Sequence, residues 1–175
     1  MNNKIFTIEE CKYIKSFYNP LTEKNGASAS TVTRDNGTTF EIRYRKANKS
    51  TYSIIENETL NSFLIKKLTP YKVVSLDSVK IMKYRIGDGL APHYDLAGYG
   101  YKGNYMTLSV MLTDGTEFEG GDLIVEGVPQ PREIGSVSTF LRNQKHEVTT
   151  VTKGERCTLV LFLSEDHLDL KKSLF

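Results

Sequence analysis

The chain has only two cysteines, Cys11 and Cys157, among its 175 residues. One falls in a predicted helix and the other in a predicted strand, so no disulfide framework organises the fold. Both read as small packing residues of a reduced compartment. Long apolar runs are missing too. The first residues, Met1 to Phe6, carry no stretch suited to a secretory leader, and no segment approaches the roughly 20 apolar residues that span a bilayer. The expectation is a soluble, cytoplasmic protein with no membrane partner. Charge of one sign is also lacking: Lys+Arg number 23 against Asp+Glu 21, a net charge of +2. That balance provides no global field to gather nucleic acid, so any basic partner surface has to be local. Low-complexity tracts, internal repeats and interdomain linkers are absent as well. The length fits one domain over residues 1–175, long enough to bury a core without a structural metal.

What is present divides into a helical, hairpin-bearing support over about 1–72 and a strand-rich core over about 73–165. Thr7-Ile8-Glu9-Glu10 fits a capping box, followed by Ile8, Cys11, Ile14, Phe17 and Tyr18 at helical spacing. Asp35-Asn36-Gly37 signals a hairpin turn between runs 30–33 and 38–45. A second helix covers Asn57 to Leu68, with Leu60, Phe63, Leu64 and Leu68 on one side and Thr69-Pro70 closing it. After this come short runs rich in Val, Ile, Thr, Tyr and Phe: 73–85, 105–113, 123–126, 136–141, 146–152 and 155–163, divided by glycine turns. Strands spaced in this way, with helices gathered ahead of them, predict a mainly β (α+β) jelly roll. The expected form is a cupin-like double-stranded β-helix with helices packed on one sheet.

His93 and Asp95 sit at positions i and i+2 of an extended segment, so their side chains project to one side, with backbones about 6–7 Å apart. Tyr94 points the other way. His146 starts a strand some fifty residues on, and in a jelly roll such strands become neighbours across the two sheets. Two imidazoles and one carboxylate form the set that holds non-haem Fe(II) on one face and leaves other positions open. An H-x-D pair alone reads better as two satisfied side chains; what surrounds His146 reverses that balance. Arg156 is the added element. With Lys153-Gly154 as a hairpin tip, Arg156 falls opposite Val151, roughly 16 Å along the strand from His146. That length suits an imidazole, a metal, a five-carbon dicarboxylate and a guanidinium in line, and the planar fork of arginine matches a carboxylate. Thr158, two residues on, faces the same side and offers a hydroxyl.

His93-x-Asp95, His146-Glu147-Val148, Arg156-x-Thr158 and Phe118-Glu119-Gly120-Gly121-Asp122-Leu123 together resemble the Fe(II)- and 2-oxoglutarate-dependent oxygenases, in their prolyl 4-hydroxylase-like branch. The likeness runs from Val79 to Leu163. It implies iron held by His93, Asp95 and His146 as the catalytic centre, and 2-oxoglutarate held by Arg156. Tyr84 resembles a tyrosine that donates its hydroxyl to the cosubstrate, while the place of a second such tyrosine is taken by Met111. It further implies hydroxylation of a C–H bond with release of succinate and carbon dioxide, O2 as co-reactant, and ascorbate as reductant.

The substrate implied is a peptide or protein, with a prolyl residue as target. The same chemistry on another side chain, a free amino acid or a small metabolite is the alternative, and a jelly-roll binding module with a structural metal is a third reading that leaves Arg156 without a purpose. Tyr99 and Tyr101, in the glycine-rich loop Leu96 to Tyr105, and Arg142, just before His146, are candidate substrate contacts. The basic hairpin from Thr31 to Lys49, with Arg43, Arg45, Lys46 and Lys49, reads as a solvated face or as a cover for an acidic or extended peptide. His167 is assigned to the surface.

Overall fold

The computed structural model of the chain describes residues 4–25, 29–33, 39–43, 50–71, 73, 76, 78–95 and 105–164. Helix α1 (Ile8–Lys15) begins where the Thr7 hydroxyl accepts the Glu10 amide and the Glu10 carboxylate accepts the Thr7 amide. The predicted capping box is thus formed, and it satisfies two N–H groups that a helix start leaves open. Helix α2 (Glu58–Leu68) is capped by Asn57, whose side chain accepts the Leu60 amide. It buries Leu60, Leu64 and Leu68, one residue per turn on a single face. Lys67 of α2 and Glu10 of α1 form an ion pair at 2.8 Å that ties the two helices together.

The strands are β1 (Lys24–Asn25), β2 (Ala29–Thr33), β3 (Thr39–Arg43), β4 (Thr51–Ile54), β5 (Ser78–Tyr84), β6 (Leu90–His93), β7 (Tyr105–Met111), β8 (Leu123–Val125), β9 (Val128–Pro129), β10 (Val137–Leu141), β11 (His146–Val148) and β12 (Arg156–Ser164). They form a six-stranded sheet ordered β1-β4-β5-β12-β7-β10 and a four-stranded sheet ordered β6-β11-β8-β9, with β2 and β3 as the separate hairpin read from the sequence. All pairings are antiparallel. This is the double-stranded β-helix that the strand spacing predicts.

The larger sheet has two unlike faces, because alternate residues of a strand point to opposite sides. Val79, Ile81, Leu108, Val110, Leu159 and Leu161 face the helices and join Cys11, Ile14, Leu60, Leu64 and Leu68 in the main core. Truncating a leucine here, Leu64→Ala for instance, costs about 2–5 kcal/mol in lost transfer energy and residual cavity. The residues between them face inward, toward the smaller sheet, where Tyr84, Phe140, Leu123, Val125, Val148 and Val151 make a second, smaller cluster. Tyr84, Arg156 and Thr158 lie on this inner face.

Two expectations change. Lys153-Gly154 is not the tip of a β11–β12 hairpin: β11 pairs with β6 and β8, whereas β12 pairs with β5 and β7 in the other sheet. The strand starting at His146 is also shorter than predicted. After Val148 the backbone turns to other partners, Val151 exchanging hydrogen bonds with the Gly87 and Asp88 backbone and Thr152 donating to Glu119. Four-residue strand β4 and two-residue β9 carry too little alternation to be read from sequence.

Candidate active site

The register places His93 directly opposite His146 on paired strands β6 and β11, with ring centroids 4.2 Å apart. Asp95 follows two residues after His93 and directs Oδ1 between the imidazoles, 3.6 Å from Nε2 of each. Such separations are too long for hydrogen bonds. They describe three donor atoms gathered around a gap, all within 4.8 Å of one another, as a metal ion requires. Tyr94, between two of the donors, is 45% exposed and points away.

The surroundings fix which atoms face the gap. His93 Nδ1 lies 2.8 Å from the Ala91 carbonyl and His146 Nδ1 lies 3.0 Å from the Gln144 carbonyl. Each imidazole therefore donates through Nδ1 and presents the lone pair of Nε2 inward, the arrangement that orients ligating histidines. Burial depresses the His146 pKa, with the Asp95 charge opposing, which favours the neutral ring and its free Nε2 lone pair. Asp95 is itself raised by burial, but the imidazoles and the Thr107 hydroxyl outweigh this and hold it below the ordinary carboxylate value. Thr107 donates from Oγ1 to Asp95 Oδ2 at 3.1 Å, which leaves Oδ1 for the gap. Phe140 packs against the His146 ring at 4.3 Å and shields that side.

Arg156 lies on the inner face of the larger sheet, where β12 pairs it with Tyr84 of β5. It is only 2% exposed, and its guanidinium sits 5.0 Å over the Tyr84 ring. No carboxylate among the described residues pairs with it, and its Nε is buried without a hydrogen-bond partner. A buried cation left in this state costs several kcal/mol unless an anion completes it. Burial lowers the Arg156 pKa, with Tyr84 opposing, and burial raises that of Tyr84, so its phenol stays protonated and able to donate. That hydroxyl lies 3.8 Å from Met82 Sδ and interacts with the Arg156 guanidinium. Thr158, 1% exposed, shares the face with Arg156 as predicted.

Arg156 reaches this place by another route than the predicted hairpin. It meets Val151 across Gly121, where an added Cβ would lie 3.0 Å from Val151 Cγ2 and 3.2 Å from Arg156 Cδ. Gly121 has φ +66°, so both the turn and the closeness of Arg156 require glycine. Arg132 secures the preceding loop: its guanidinium bonds Asp122 and the Phe118 carbonyl, and stacks 4.5 Å from the Phe118 ring.

Arg142 is half-buried in the turn before His146 and is not among the three metal-ligand candidates. The other suggested substrate contacts, Tyr99 and Tyr101, lie outside the described residues, as do His167, the 34–38 turn and residues 44–49 of the basic hairpin. Sequence reading missed Thr107. The signal was parity, since Thr107, Ser109 and Met111 alternate with the core residues of β7.

The architecture is shared with solved structures of 2OG-Fe(II) oxygenases. The fold matches a 2OG-Fe(II) oxygenase family oxidoreductase from Burkholderia pseudomallei with a TM-score of 0.59 at 17% identity, covering 91% of this chain and 81% of that one. It matches a prolyl-4-hydroxylase from Pseudomonas putida with a TM-score of 0.58 at 16% identity, covering 93% and 90%. In sequence the chain is similar to a PKHD-type hydroxylase of Maricaulis maris, 27% identical over 139 residues, which cover 72% of this chain and 64% of that protein. The chain thus spans less than two thirds of that curated relative's length, and the matches to two further PKHD-type hydroxylases cover 51% and 53% of theirs. No protein-family model matches the chain. Among the described residues, no helix is long and apolar enough to cross a membrane.

Proposed function

We propose that the protein is an Fe(II)- and 2-oxoglutarate-dependent dioxygenase that hydroxylates a prolyl residue of a peptide or protein. The observation that carries this reading is Arg156, a buried guanidinium with an unpartnered Nε on the inner face that also supports the His93, Asp95 and His146 cluster. A structural metal site has no use for such a cation, whereas a dicarboxylate that chelates the metal at one end needs one at the other.

His93, Asp95 and His146 would hold the ion, through Nε2, Oδ1 and Nε2. The Nδ1 hydrogen bonds and the Thr107 hydroxyl prevent those atoms from turning away. Arg156 neutralises the distal carboxylate of the cosubstrate, with Tyr84 and Thr158 as adjacent hydroxyl donors. When bound, iron and 2-oxoglutarate supply the oxidising power that converts a substrate C–H to C–OH, with succinate and carbon dioxide as co-products. The apolar cluster of Phe140, Leu123, Val125 and Val148 excludes water from the interior.

The test supplies the protein with Fe(II), ascorbate, 2-oxoglutarate and a panel of proline-containing peptides, and measures succinate together with a mass gain of one oxygen atom. Stoichiometric succinate and hydroxyproline are expected. Iron binding without succinate on any peptide refutes the reading.

A further inference from the structure

The inner face of the larger sheet carries two hydroxyls that the protein alone leaves unused. Ser109 of β7 and Ser138 of β10 lie opposite each other on paired strands. Both alternate with residues of the main core, Leu108 and Val110 on one strand and Val137 on the other, so both side chains point inward. They are 7% and 5% exposed. Neither hydroxyl has a hydrogen-bond partner among the described residues. Val160, which faces Ser109 from β12, offers no polar side-chain atom. Buried hydroxyls are normally hydrogen-bonded, so two of them side by side mark a position that a polar ligand completes.

The pair lies between the two anchors of the site. The inward-facing residues of β12 run Arg156, Thr158, Val160 and Phe162, and on β7 Met111 stands opposite Thr158, Ser109 opposite Val160 and Thr107 opposite Phe162. Thr107 holds Asp95 at one end and Arg156 stands at the other, so a ligand that joins the metal-ligand cluster to Arg156 passes the level of Ser109. The lengths agree. From the level of Thr158 to that of Ser109 is one two-residue repeat, about 6–7 Å, and the end carbons of a five-carbon dicarboxylate are about 5 Å apart. With one carboxylate at Arg156 and Thr158, the other arrives at Ser109 and Ser138. The two serines are also the small members of this wall, set between Met111 of β7 and Phe140 of β10, so the interior has room beside them.

We propose that Ser109 and Ser138 bind the keto-acid end of 2-oxoglutarate, each donating its hydroxyl to the carboxylate nearest the metal. The proposal rests on the oxygenase reading above and adds two cosubstrate contacts to it. It divides the inner-face hydroxyls by position: Tyr84 and Thr158 serve the distal carboxylate with Arg156, the two serines serve the keto-acid end, and Thr107 stays with Asp95.

The experiment measures 2-oxoglutarate affinity by calorimetry under nitrogen with Mn(II), in wild type, Ser109→Ala, Ser138→Ala and the double variant. Alanine keeps the space and removes the donor, so each single variant should bind 2-oxoglutarate at least about tenfold more weakly, with Mn(II) affinity and Tm unchanged. Pyruvate carries the keto-acid end without the distal carboxylate, and its binding is followed by the water-proton relaxation of bound Mn(II). It should weaken in Ser109→Ala and stay as in wild type in Arg156→Met. Unchanged 2-oxoglutarate affinity in both alanine variants means that the serines only make room, and overturns the proposal. Pyruvate binding that depends on Arg156 and not on Ser109, or a loss of Mn(II) affinity in Ser109→Ala, overturns it as well. Wild type that binds 2-oxoglutarate no better than the alanine variants defeats this inference alone, whereas wild type that binds Mn(II) but no 2-oxoglutarate defeats the oxygenase reading with it.

Discussion

Replacing Arg156 with methionine should make the ligand-free protein more stable while removing its response to 2-oxoglutarate. The guanidinium is 2% exposed, has no carboxylate partner among the described residues and has an unpartnered Nε. Its desolvation is offset only in part by the Tyr84 ring. Exchanging buried charge for an apolar side chain of similar volume is often neutral or stabilising by about 1–4 kcal/mol. For a chain of this size each kcal/mol moves Tm by about 2–4 °C. Wild type, given a divalent metal and 2-oxoglutarate at about 100 times Kd, gains about 2.7 kcal/mol and so roughly 5–10 °C. Arg156→Met should start at or above the wild-type Tm and gain almost none of that shift, since loss of one partner of a buried charge pair costs about 2–5 kcal/mol in binding. Differential scanning calorimetry with and without ligand measures both quantities. A lower ligand-free Tm combined with an intact 2-oxoglutarate shift refutes the reasoning, because the arginine is then structural.

Thr107→Val removes the hydroxyl that holds Asp95 Oδ2 and keeps the side-chain volume, so metal affinity should fall by about 10–100-fold in a competition titration; unchanged affinity means Asp95 is oriented without it. Cys11 and Cys157 are fully buried, and burial pushes both thiols up to about 11, so neither should be alkylated in the folded protein at neutral pH and both should react in denaturant. Mass spectrometry after iodoacetamide treatment decides this. The Arg85 guanidinium, ahead of the Tyr18 hydroxyl, holds Glu23 at about 2 against an ordinary 4.5. A depressed carboxylate contributes stability above its unfolded pKa and loses it as pH falls through the folded one. Urea midpoints should therefore drop more steeply for wild type than for Glu23→Gln between pH 4.5 and 2; parallel profiles contradict the pairing.

The convergence of His93 and Asp95 was readable because strand periodicity is rigid: positions i and i+2 of an extended segment share a side. His93 and His146 were expected to meet across the two sheets, whereas β6 and β11 pair within one; that pairing was not readable, since register between distant strands depends on the whole sheet order. For the same reason the Lys153-Gly154 turn suggested a hairpin. Local turn chemistry carries no information on which sheet the next strand joins, and β12 crosses to pair with β5 and β7. Arg156 was expected beside Val151 through a hairpin that does not form; Gly121 brings the two close by another path. Thr107 went unread because a single polar residue in an apolar strand looks ordinary until the inward face is known.

The central claim is that His93, Asp95, His146 and Arg156 form one site. Its most direct test is calorimetric titration of 2-oxoglutarate under nitrogen into wild type with and without Mn(II), and into Mn(II)-treated His146→Ala and Arg156→Met. The account predicts saturable binding only for metal-loaded wild type, with at least about tenfold loss on removing the metal or either side chain. Equal binding in all four titrations would contradict it.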